Sequence, residues 1–182
     1  MKRISLLETA YHEAGHAVVA WLLGLKFQNV TVKPNIDGTL GCLSKLNAPK
    51  WFRPEVEMTA RTRVMAERRI VVFFAGRSAQ EQFLGKQIRS GFESDYDAGV
   101  ALAAYFCSDS DVADAYLNYC RTVSRAIVRR YWAEVATIAT ALAGNETLTF
   151  SQVAKLIRLA PKVANAESET PRAKRKRNKT GR

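Results

Sequence analysis

The stretch LLETAYHEAGHAVVAWLLG, residues 6–24, decides how this chain is read. Leu7, Tyr11, Ala14, Val18 and Trp21 recur at intervals of three and four, the apolar face of an amphipathic helix. Ser5 followed by Glu8 has capping-box spacing, and Gly24 is a natural stop after Leu23. The two histidines of the chain, His12 and His16, both fall here, four residues apart and therefore on one face. Neutral imidazoles so placed can share one zinc ion at about 2.0–2.1 Å. Glu13, between them, is placed to take a proton from zinc-bound water, whose pKa the metal lowers toward about 7. This is the HExxH pattern, with the metal as Lewis acid and the glutamate as general base. Gly15, inside the helix, should cost about 1 kcal/mol relative to alanine, so another part of the chain is expected to approach this turn closely.

Catalytic zinc usually takes three protein ligands and keeps one position for water. With no third histidine, the third ligand is expected to be a carboxylate. The candidates are Glu67, Glu81, Glu93, Asp95 and Asp97, with Glu55 and Glu57 ranked behind them at the start of a helix. Local chemistry favours GFESDYD, residues 91–97, because a helix start holds a carboxylate at a loop-to-helix junction rigidly. For Asp95 and Asp97 the competing reading is charge that merely suits a helix N-terminus.

After residue 24 the period changes. FQNVTVKP and GTLGCLSKL lean toward strand, with Asn35-Ile36-Asp37-Gly38 as the turn of a small hairpin. Pro54 suits the first turn of a helix running through residues 55–76, bent at Gly76 and continued to a stop at Gly85. Ser94 and Asp97 form a second capping pair before another apolar helix. Residues 109–143 read as helix throughout, Gly144-Asn145 as a break, and Thr149 or Ser151 as the cap of a last short helix before Pro161. Trp21, Phe73, Phe74, Phe83, Tyr105, Phe106, Tyr131 and Trp132 fall at helical spacings and read as core. Trp51 and Phe52, in a loop, either contact substrate or pack under it. The fold expected is mainly α with one small β element.

Hydrophobic residues at 47% and charged residues at 25% describe an ordinary globular chain. The net charge of +11 is uneven. Seven basic residues and no acid lie in residues 170–182, which leaves +4 for the remainder, too little to suggest nucleic-acid binding by the whole domain. The tail itself can make salt-sensitive phosphate contacts, or simply be solvated. Cys42, Cys107 and Cys120 are odd in number and form no CxxC pair, which fits a reducing compartment. Ala17–Leu23 is too short to span a bilayer, so no membrane span and a cytoplasmic location are expected.

In the order HEAGH helix, VTVKPNIDGTLGCLSKL, AGRSAQEQFLG, SGFESDYDAGVALA and ETLTFSQVAKLI, the chain resembles the peptidase domain of FtsH-type ATP-dependent zinc metalloproteases over roughly residues 6–160. Ala75 and Gln80 depart from that family's GGR-x-A-E-E-x-x-x-G run. The resemblance implies a helical, zincin-like peptidase domain over residues 1–160; after it the composition shifts to Ala, Glu, Ser and then basic residues, which predicts a disordered tail over 161–182. It implies Zn2+ held by His12, His16 and Asp95, with Glu13 as catalytic base. Glu81 keeps one of the family's paired acids and is the rival third ligand, or a residue just behind the ligands. The family carries a membrane anchor and an ATPase ahead of this domain, whereas this chain starts almost at the HEAGH helix and contains no GxxxxGK[ST] loop. The activity expected is ATP-independent zinc endopeptidase action on unfolded polypeptide, with a separate ATPase and a homo-oligomer as partners to look for. The hairpin edge would bind the substrate strand. The alternative is a catalytically idle zinc-binding domain that recruits proteins.

Overall fold

A computed structural model describes residues 5–34 and 40–161. The predicted turn at residues 35–38 and all of the predicted tail after Pro161 lie outside the described residues.

The first helix, α1 (Leu6–Leu22), is the element around which the others pack. Ser5 caps it, accepting from Glu8 N at 3.1 Å. Ala10, Ala14, Ala17 and Ala20 are fully buried, and these short side chains let α2 (Ala60–Leu84) and α5 (Trp132–Asn145) lie close against it. A Cβ on Gly15 would run into Ala75 O and come within 2.7 Å of Ala79 Cβ, so the glycine lets the backbones of α1 and α2 meet closely. Tyr11 pins the same helices, its ring stacking on Phe83 of α2 at 4.1 Å and on Trp132 of α5 at 5.2 Å.

Beside α1 lies a three-stranded antiparallel sheet in the order β2 (Leu40–Ser44), β1 (Asn29–Pro34), β3 (Thr147–Thr149). Val30 pairs with Leu43 on one side and with Leu148 on the other, and Val30, Val32 and Leu148 are buried. The mainly α architecture with a small sheet at the HExxH helix is as the sequence predicts. The third strand is not: TLT is too short to show alternation, and it runs directly into the last helix.

Several boundaries differ from expectation. The second helix begins at Ala60, capped by Thr59, because Thr59 supplies an acceptor to Thr62 N at 3.1 Å, whereas Pro54 merely permits a helix and sits in a turn. It then runs unbroken through Gly76 to Gly85, whose φ of 64° ends it. The third helix, α3 (Glu93–Ala103), has no Ser94–Asp97 cap; Ser94 is already inside it, and Glu93 instead takes Gly91 N at 2.7 Å and Phe92 N at 2.9 Å. The long helix read over residues 109–143 is two, α4 (Ser110–Arg130) and α5, parted at Tyr131 so that Trp132 can turn onto Tyr11. Thr149, not Ser151, caps α6 (Phe150–Leu159), reciprocally with Gln152. Tyr105, expected in the core, is 48% exposed in the turn after α3. No helix among the described residues is long and apolar enough to cross a membrane.

Gly15→Ala separates two effects of opposite sign. Helix propensity alone would stabilise by about 1 kcal/mol, while overpacking against α2 costs about 1–3 kcal/mol. We expect a lower urea midpoint than the parent's; a midpoint at or above it would show that the α1–α2 spacing has room to spare.

Candidate metal centre

Three ligand-type atoms from two distant helices converge. The Nε2 atoms of His12 and His16 stand 3.0 Å apart, and each lies 3.1 Å from Asp95 Oδ2. Among the described residues no other group of three His, Cys, Asp or Glu side chains is gathered closely enough to hold a metal. Tetrahedral ligands about 2.0–2.1 Å from one zinc stand about 3.3–3.4 Å apart, so the triangle is within a few tenths of an ångström of the spacing a single ion requires. The chemistry also fits, because two imidazoles and one carboxylate are a common catalytic zinc set. Space for the triangle comes from Gly76, where a Cβ would overlap His16 Nε2 and approach His12 Nε2 to 2.5 Å.

Each imidazole is oriented from behind by α2. His16 Nδ1 lies 2.8 Å from Val72 O; a carbonyl only accepts, so Nδ1 donates. His12 Nδ1 lies 3.3 Å from Gln80 Oε1. Val72, Gly76 and Gln80 are four residues apart and form one ridge facing the histidines. Sequence reasoning registered Gln80 only as a departure. Its spacing from Gly76 was the signal that would have found it.

The other candidate carboxylates are engaged elsewhere or lie on the surface. Glu81 does not reach the imidazoles; it accepts from Arg77 Nε at 2.9 Å and Ile88 N at 3.2 Å. Arg77 in turn donates to Ile88 O at 3.1 Å and stacks on Phe92. Glu81 therefore braces the loop that delivers Asp95 rather than standing at or directly behind the centre. Glu67 accepts from Tyr116 Oη at 2.7 Å, Glu55 pairs with Arg53, Glu93 staples the start of α3, and Glu57 and Asp97 are exposed.

Glu13 is 4% exposed, and its Oε2 has no hydrogen-bond partner. Gly41 of β2, at φ 78°, lies so close that a Cβ there would stand 2.7 Å from Glu13 Oε1. Burial pushes the Glu13 carboxyl up; His16 and His12 offset this in part, and the Asp95 charge adds to it. For His16, burial opposes the charged form, but the Asp95 charge and hydrogen bond, with Glu13, outweigh it and hold the imidazole at about 9. Burial likewise works to raise Asp95, and the two histidines hold it well below the usual carboxylate range. The group opens into a cavity of about 230 Å³ whose apolar wall includes Leu43, Leu46, Val72 and Phe73. Trp51 and Phe52 are not part of that lining; they carry Arg61 and Arg69 on their ring faces.

Residues 2–108 match the sequence profile of Peptidase family M41. The chain belongs to that family. Over 109 residues this M41 chain is 30% identical to the ATP-dependent zinc metalloprotease FtsH of Rickettsia typhi (strain ATCC VR-144 / Wilmington), a match covering 58% of this chain and 16% of that protein. The chain thus corresponds to a small part of its relative's length. The M41 match contains α1 to α3 and with them His12, Glu13, His16 and Asp95; α4 to α6 lie beyond it.

A metal needs an unprotonated Nε2, whereas without metal His16 keeps its proton up to about 9. Zinc binding to the M41 chain should therefore release protons and tighten as pH rises from about 6 to about 9. Titration calorimetry in two buffers of different ionisation enthalpy measures both; an affinity flat across this range would show that Asp95 and Glu13 do not hold the proton on His16.

Proposed function

We propose that this chain is a zinc endopeptidase that hydrolyses unfolded polypeptide, with His12, His16 and Asp95 as metal ligands and Glu13 as general base. The observation that carries the reading is the convergence of three ligand atoms beside a buried carboxylate oxygen that has no partner of its own. Zinc bound there would supply a Lewis acid that polarises the scissile carbonyl and acidifies water. The protein's own contribution is a proton acceptor of raised affinity, held still. Burial keeps Glu13 ready to take a proton from the attacking water, and the same oxygen then passes it to the departing amine. Gly41 lets β2 lie directly against Glu13, so a chain aligned on β2 would present its backbone to the base.

That alignment supplies the substrate class. Among the described residues β2 has a sheet neighbour only on its β1 side, and its Cys42 and Leu43 line the cavity. An extended polypeptide added to such an edge is held by main-chain hydrogen bonds with little regard for sequence, which suits unfolded protein. Nothing in this chemistry consumes a nucleotide, so the hydrolytic step itself proceeds without ATP. The reading extends to a reducing, cytoplasmic setting, consistent with three free cysteines, to delivery of substrate by a separate ATPase, and to self-assembly.

With one equivalent of zinc, the purified chain should cleave casein equally with and without ATP. A chelator should stop the cleavage and added zinc restore it. Glu13→Gln should slow cleavage by about 10²–10⁴-fold while zinc binding persists. A zinc-loaded protein that leaves casein intact, together with a Glu13→Gln variant that behaves identically, would instead favour an idle zinc-binding domain.

A further inference from the structure

We infer that Gln80 is a positioning residue for the metal centre, acting through His12 as a neutral hydrogen-bond acceptor; the inference rests on the metal-site reading above. A histidine that ligates through Nε2 must carry its proton on Nδ1, and whatever accepts that proton fixes both tautomer and ring angle. The two histidines are served differently. His16 Nδ1 faces a backbone carbonyl, which no side-chain substitution can remove. His12 Nδ1 faces the side-chain oxygen of Gln80, which is 5% exposed.

The amide's orientation and the ligand role stand together. If the amide NH2 faced His12, Nδ1 would have to be bare, the proton would sit on Nε2, and that nitrogen could not ligate. Position 80 is also where a charge would be felt most directly, since the ring of His12 alone separates it from the centre. The neighbouring acid, Glu81, is turned away to Arg77. Asp95 therefore supplies the sole negative charge among these three residues and the acceptors behind them, and the outer acceptors, Val72 O and Gln80 Oε1, are both uncharged. A carboxylate at position 80 accepts more strongly than an amide and raises the basicity of the imidazole it holds.

The experiment is zinc affinity by competition with a chromophoric chelator, on the full chain, alongside thermal melting of the metal-free protein. Gln80→Leu should lose about 10–100-fold in affinity with little change in melting temperature. Gln80→Met, which keeps length and flexibility without an acceptor, carries the same expectation should the leucine variant fail to fold. Gln80→Glu should bind zinc as tightly as the parent or more tightly. Parental affinity in a folded leucine or methionine variant would overturn the inference, as would a glutamate variant that falls as far as they do. Failure of the parent itself to bind zinc would overturn the metal-site reading instead, so the two outcomes are distinguishable.

Discussion

The structure depends on two missing side chains. Gly15 lets the backbone of α1 settle onto α2 at Ala75, and Gly76 leaves room on α2 for the imidazoles of His12 and His16. Each glycine sits in a helix interior, where it is intrinsically unfavourable. What is gained is an interhelical approach close enough for Val72 O and Gln80 Oε1 to reach the far side of each ring. Bulk at either position would push the helices apart and separate the histidines from their acceptors. The packing problem and the chemical site are therefore one constraint.

Much of this was legible from local pattern. Two histidines four residues apart on an amphipathic helix share a face whatever the tertiary fold, and Ser5, Thr149 and Gly85 mark helix ends by side-chain or backbone chemistry that acts within a few residues. The failures are where distant contacts decide. Pro54 permits a helix start, yet Thr59 offers a better one. Tyr131 breaks an otherwise continuous pattern because Trp132 has a stacking partner more than a hundred residues earlier. Three residues of β3 become a strand only because β1 is there to pair with them. Asp95 was one carboxylate among several on local grounds, and the resemblance singled it out. The structure adds that its rivals are committed to Arg77, Tyr116 or helix ends, or lie on the surface. Gln80 stands out in the sequence only as a departure from the family's run; its spacing from Gly76 gains meaning once His12 is in front of it.

The electrostatics follow from the same geometry. Glu13, His16 and Asp95 are close enough that each changes the others' affinity for protons, and among them Glu13 Oε2 is a buried oxygen with no hydrogen-bond partner. A carboxylate oxygen left without a donor in a buried place is costly in a purely structural setting. Here it lies at a cavity of about 230 Å³ next to three atoms that could hold a metal. The unpartnered oxygen belongs to the group that lines the cavity, while on the side toward α2 both imidazoles have acceptors.

The central place of β1 has a further consequence for how the two ends of the chain depend on each other. A two-stranded ribbon of this length is marginal in water, and a third strand turns it into a sheet. That third strand comes from residues 147–149, at the threshold of α6, while the opposite border of the sheet carries the glycine that lies against Glu13. Glu13, near the amino terminus, thus lies against a sheet whose pairing is completed some 130 residues later, and the closing helix is part of the site's frame together with the helix that bears the histidines.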